Sequence, residues 1–205
     1  MTLKQLAEKT IKGATNTIDT HYSNAKTADI QAVVAYAVER AAPYTVDFSN
    51  EIAARFRTPY QIANAIWSLL HDELTYKADG RKQNIKSPAQ LIKDGVGDCK
   101  SFAVFTSSVL QNLRIPHYLR YAAYERGADV THVYVVIEPN TSRQIIIDAV
   151  HDRFNEEVKY TYKQDRQVTK SGRIGKVQPP KQPSRPYRTH IVTLILFALA
   201  AWQLK

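Results

Sequence analysis

The chain has 205 residues, a single cysteine, 44% hydrophobic residues and a formal net charge of +9. That length accommodates one packed domain of about 150 residues with an appendage, and one thiol excludes both an intrachain disulfide framework and a cysteine-rich metal site. Nor does the charge mark a nucleic-acid surface: residues 163–190 carry eight Lys or Arg against Asp165 alone, +7 of the total, so the rest is nearly neutral. Aromatics are too sparse in that stretch to stack bases.

Met1 to Lys12 is amphipathic and charged, without the apolar core of a secretory signal. Ala28 to Ala42 reads as a helix (Ile30, Val33, Val34, Tyr36, Ala37), stopped by Pro43. Pro59 to Tyr76 reads as a longer helix with an apolar stripe through Ile62, Ala65, Ile66, Leu69 and Leu70. Thr58 is its N-cap, with Pro59 at the first helical position. Asp79 to Asn84 reads as a polar loop, and Ser87 to Lys93 as a short helix.

Next comes the most informative run, Gly97-Asp98-Cys99-Lys100-Ser101. Gly95 and Gly97 permit close backbone approach. Asp98 is a good N-cap, and an apolar helix follows (Phe102, Ala103, Phe105, Val109, Leu110, Leu113). The sulfur therefore falls in the first helical turn, where free backbone N–H groups and the positive end of the helix dipole stabilise a thiolate. The same N–H groups suit an oxyanion. A lone cysteine in an apolar helix is otherwise ordinary packing; the glycines, Asp98 and a histidine downstream favour a nucleophile.

His117 to Tyr124 reads as a strand, followed by a hairpin: Asp129 to Ile137, a turn at Pro139-Asn140, and Gln144 to Val150. His132 near the free end of one strand and Asp148 near the free end of the other can meet across the pair. Cys99, His132 and Asp148 form a nucleophile, base and orienter set. His151, just past the strand, is a rival base of lower rank. His21, His71, His117 and His190 read as structural or exposed. No histidine pair has ligand spacing, so neither a metal nor a cofactor is expected.

From about Tyr60 to Asp148 the chain resembles the transglutaminase-like superfamily, a branch of the papain-like cysteine enzymes. Gly-Val-Gly-Asp-Cys at 95–99, Thr-His-Val-Tyr-Val at 131–135 and Ile-Ile-Asp at 146–148 carry the resemblance, with Ser87-Pro88, Leu91 and Leu113-Arg114-Ile115-Pro116 in support. It implies Cys99 as nucleophile, His132 as general base and acid, and Asp148 as the group orienting the imidazole. Papain-like enzymes commonly use a side-chain amide upstream of the nucleophile as an oxyanion donor, and Gln83 is the candidate here. The implied chemistry is acyl transfer through a thioester. The expected outcome is hydrolysis of an amide in a protein or in cell-wall peptide. A crosslinking transamidase and a non-catalytic membrane-associated structural protein are the alternatives.

Phe154 to Tyr162 reads as a loop and edge segment beside the site. Residues 163–190, with Pro179, Pro180, Pro183 and Pro186, read as an extended basic linker. Ile191 to Trp202 is uncharged and strongly apolar. It is shorter than the roughly 20 residues that span a bilayer comfortably, but Trp202 and Lys205 suit an interfacial end. The sequence thus predicts an α+β protein in which the nucleophile helix packs on an antiparallel sheet. Its parts are an N-terminal helical region (1–57), a catalytic core (58–162), a linker (163–190) and a C-terminal apolar helix anchoring the chain to a cellular or virion membrane (191–205).

Overall fold

The computed structural model describes residues 1–13, 17–20, 27–79 and 83–168. Helix α1 (Leu3–Thr10) is started by Thr2 and Gln5 in a capping box, with each side chain bonding the other's backbone N–H. After strand β1 (Thr17–Thr20) and helix α2 (Thr27–Ala41), Pro43 falls in a single 3-10 turn, Ala42–Tyr44. Helices α3 (Val46–Arg55) and α4 (Pro59–Asp72) follow. Thr58 caps α4 as expected, its hydroxyl accepting from the Gln61 N–H, with Pro59 at the first position.

The α4 helix stops at Asp72, four residues short of the expected Tyr76. Thr75–Tyr76 is instead a short strand, β2, parallel to β4 (Val96–Gly97). The Thr75 and Lys77 N–H groups each donate at 2.8 Å to the Gly95 and Gly97 carbonyls, a ladder that competes with further helical turns. Gln83 and Asn84 also leave the expected loop. They open β3 (Gln83–Lys86), antiparallel to β1.

Helix α5 (Pro88–Asp94) leads through β4 into α6 (Cys99–Asn112), which packs against α2, α3 and the main sheet. That sheet has the order β7-β6-β5-β8 and is antiparallel throughout. Its strands are β5 (His117–Ala123), β6 (His132–Ile137), β7 (Ile145–Ile147) and β8 (Tyr162–Val168). Leu119, Tyr121, Val133, Val135, Ile145 and Ile147 join Phe102, Phe105 and Val109 of α6 in one core. Leu6, Phe48 and Ile66 from the first four helices belong to that same core, so the N-terminal helices and the sheet share one interior.

Strand β8 takes Lys163 to Val168 out of the expected linker. Their charge is not simply solvated. The fully buried Arg120 of β5 holds Asp165 through two hydrogen bonds of 2.7 and 2.8 Å and also bonds Glu157, which accepts from the Tyr134 hydroxyl. The remaining linker and the C-terminal apolar segment lie outside the described residues. Among the described residues, no helix is long and apolar enough to cross a membrane.

Candidate active site

The start of α6 is built by the residues before it. Gly95 ends α5 in the left-handed conformation, with φ of 65°. Gly97 admits no side chain: a Cβ there would lie 2.4 Å from Leu91 Cδ1 and 3.2 Å from Phe102 Cε1. Asp98 then caps α6, one oxygen accepting from the Ser101 N–H at 2.9 Å and from its hydroxyl at 2.8 Å. Cys99 becomes the first helical residue. It is buried, and its backbone N–H has no partner within the helix.

Lys100 follows it into the interior, only 6% exposed. Its ammonium bonds Asp98 and lies 3.4 Å from Asp79, which in turn accepts the Asn84 N–H at 2.6 Å. Burial alone would push this ammonium down, but Asp98, Cys99 and Asp79 outweigh it and the net shift is upward. Lys100 is therefore a fixed positive charge next to the thiol, and it staples the segment before β3 to the helix start.

His132 arrives from the sheet. In the β6–β7 pairing Val135 faces Ile147, so one step further along sets Asp148 opposite Tyr134 and diagonal to His132. The His132 Nε2–H donates to Asp148 Oδ2 at 2.7 Å. That leaves Nδ1 free of Asp148, and Cys99 lies close enough to act on the charge of the ring. Burial works against charge on this imidazole, yet the bonds and charges of Asp148 and Cys99 prevail and raise it from 6.5 to about 10. Of the three side chains anticipated from the sequence, His132 and Asp148 are in direct contact, and Cys99 lies near enough to favour the charged ring.

Asp148 is held by a brace that the sequence did not reveal. The Trp67 indole N–H donates to the Asp148 carbonyl at 3.0 Å, and His71 Nδ1 donates to the Ala149 carbonyl at 3.1 Å. The two rings stack 4.4 Å apart on α4. Only their spacing of four could have flagged them, and in an apolar helix that spacing reads as core. The other carboxylate oxygen, Oδ1, accepts from the Val150 N–H at 3.2 Å.

His151 is nearer the site than its sequence rank implied. Its Nε2 lies 3.3 Å from Asp148 Oδ2, and its ring is 6.0 Å from that of His132. The ligand atoms of His132, Asp148 and His151 all fall within 4.8 Å of one another. Two tyrosines also lie near the site. Tyr124 stacks at a tilt 5.9 Å from His132, and Tyr76 pairs with Gly97 in the strand just before Cys99. Burial first, then the charges of Cys99 and Asp148, raises both hydroxyls. Gln83, the expected oxyanion donor, stands half-buried at the start of β3, opposite Thr20. Three residues on, the Lys86 N–H donates to Ser101 Oγ at 3.1 Å, which fixes this strand beside the first turn of α6.

Residues 46–141 match the family described as the Transglutaminase-like superfamily. No curated protein matches the chain. Among solved structures it is similar to a candidate cysteine protease from Cytophaga hutchinsonii, at TM-score 0.41 and 18% identity over 54% of this chain; it spans 38% of that protein's length. It is similar also to LapG of Legionella pneumophila, at TM-score 0.42 and 18% identity, covering 63% of this chain and 83% of LapG.

Proposed function

With residues 46–141 taken as a transglutaminase-like domain, we propose that the chain is a cysteine hydrolase that cleaves an amide bond through Cys99, His132 and Asp148. The observation that carries this reading is one buried imidazole shared by two acidic groups: His132 gives its Nε2–H to Asp148 at 2.7 Å, and Cys99 at the start of α6 helps hold its charge. An imidazolium that survives burial between two acidic groups suits a thiolate partner.

In the reaction the Cys99 sulfur attacks the amide carbonyl and the C=O electrons move onto oxygen. The oxyanion collapses, the C–N bond breaks, and His132 passes its proton to the leaving amine. The acyl group remains as a thioester on Cys99. Water, deprotonated by His132, then releases the acid and restores the thiol and imidazole. The Cys99 N–H supplies one oxyanion donor, and Gln83 is assigned as the second. The substrate class is a protein or cell-wall peptide, and residues 191–205 are assigned as a membrane anchor, with the basic stretch before them facing anionic head groups.

The decisive test is a peptide library incubated with the chain and with Cys99→Ala. Turnover should appear only with the cysteine, and intact-mass measurement should capture an acyl adduct on Cys99. Undiminished cleavage by the alanine variant refutes the mechanism, and incorporation of a labelled primary amine in place of water turns the reading to a transamidase. Extraction of expressing membranes at alkaline pH should leave the full chain in the pellet and release a variant cut after residue 190. Release of both rejects the anchor.

A further inference from the structure

Two imidazoles and a carboxylate meet at one point from separate pieces of chain: His132 from β6, Asp148 from the end of β7, and His151 from the turn beyond. The hydrolytic reading uses only the first two. His151 Nε2 is a buried atom with no hydrogen-bond partner, although Asp148 Oδ2 is only 3.3 Å away. A lone nitrogen aimed at a carboxylate that already serves another imidazole is poor hydrogen bonding and good ligand geometry. A tetrahedral zinc ion with ligand bonds of about 2.0–2.2 Å keeps its donor atoms roughly 3.3–3.5 Å apart. The Asp148–His151 distance of 3.3 Å already fits, the 2.7 Å His132–Asp148 bond must open to admit the ion, and all three donor atoms lie within 4.8 Å of one another, within reach of side-chain rotation.

The geometry points to a divalent-metal site of His132, Asp148 and His151, suited to Zn2+, whose occupation takes the His132 ring out of service. Imidazole and carboxylate together select zinc-like ions over calcium or magnesium. The metal replaces the proton on His132 Nε2, which leaves to solvent, and it takes Asp148 Oδ2 as a ligand. His151, with 29% of its side chain exposed, forms the side open to entry, and water completes the coordination. Cys99 is not one of the three ligands. Binding can therefore be measured without turnover, and zinc would act as a reversible inhibitor of the proposed hydrolase.

The test uses the full chain carrying Cys99→Ala, so that thiol capture of metal cannot contribute. Titration calorimetry with Zn2+ should give one ion per chain, and adding His151→Gln should weaken binding more than about tenfold while circular dichroism stays unchanged. Co2+ on the Cys99→Ala chain should give the visible d–d bands of a tetrahedral site without a thiolate charge-transfer band, a readout that needs no substitution at the site. Absence of stoichiometric uptake and of those bands, or uptake that His151→Gln leaves undiminished, overturns the site. A chain that binds zinc but cleaves nothing would refute the hydrolase and leave the metal site standing.

Discussion

His117 opens β5 and His132 opens β6, and because the strands are antiparallel the two rings sit at opposite ends of one strand pair. Both are buried, at 1% and 8% exposure, yet burial prevails at one and loses at the other. His117 donates from Nδ1 to the Ile115 carbonyl at 2.8 Å, so its Nε2 accepts from the Ser107 hydroxyl at 2.7 Å. Both partners are neutral, and burial pushes the ring from 6.5 down to about 4 despite the carbonyl's opposing pull. His132 meets a carboxylate and a thiol and rises to about 10. The charge of the partners decides which way a buried imidazole goes. One end of the sheet is a neutral joint between α6 and β5; the other is an ion pair.

The sharpest way to break this contrast is to remove each ring in turn. His132→Ala should lower turnover of a cleaved peptide by about 10³–10⁴, and Asp148→Asn should cost at least about 10² by misorienting the ring. His117→Ala should leave turnover within a few-fold and instead destabilise the fold by about 1–3 kcal/mol, since it strands the buried Ser107 hydroxyl. Equal turnover losses at the two histidines in steady-state assays would erase the distinction.

Next in size is the oxyanion donor. Gln83→Ala should lower kcat by about 10² with KM little changed. If Tyr76→Phe produces that loss and Gln83→Ala does not, the second donor belongs to β2 and not to β3.

The smallest effect is on stability against pH, where the two rings should act with opposite sign. The folded-state value for His132 is raised, so its contribution is complete below about 6.5 and lost as pH rises through about 10. The value for His117 is lowered, so its contribution is present above about 6.5 and lost as pH falls toward about 4. Urea midpoints across this range should lose part of their alkaline slope in His132→Ala and part of their acid slope in His117→Ala. Slopes unchanged in both variants would contradict the assignment.

The sequence discloses what local rules govern. Asp98 and the glycines announce the helix start, Ser87 and Thr58 announce two more, and two β-branched runs joined by the Pro139-Asn140 turn mark the β6–β7 hairpin. Its limits follow from partners distant along the chain. Asp165 and its basic neighbours read as solvated linker because Arg120, the buried counter-charge of Asp165, lies 45 residues away. The α4 stripe runs on past Asp72 in the sequence, but pairing with β4 takes Thr75 and Tyr76. Trp67 and His71 look like core, and nothing local says that their N–H groups reach the chain at 148 and 149. His151 drew a low rank because it follows the strand pattern; the turn that folds it back is what returns it to Asp148.

That brace from α4 grips peptide carbonyls, not side chains. A carbonyl is the same whatever residue bears it, so the scaffold fixes an address without dictating its tenant. An Asp148→Asn chain would therefore keep its backbone seat while losing the charge that the ring needs. Trp67 and His71 lack that latitude, since each contributes a ring nitrogen that few other side chains could replace.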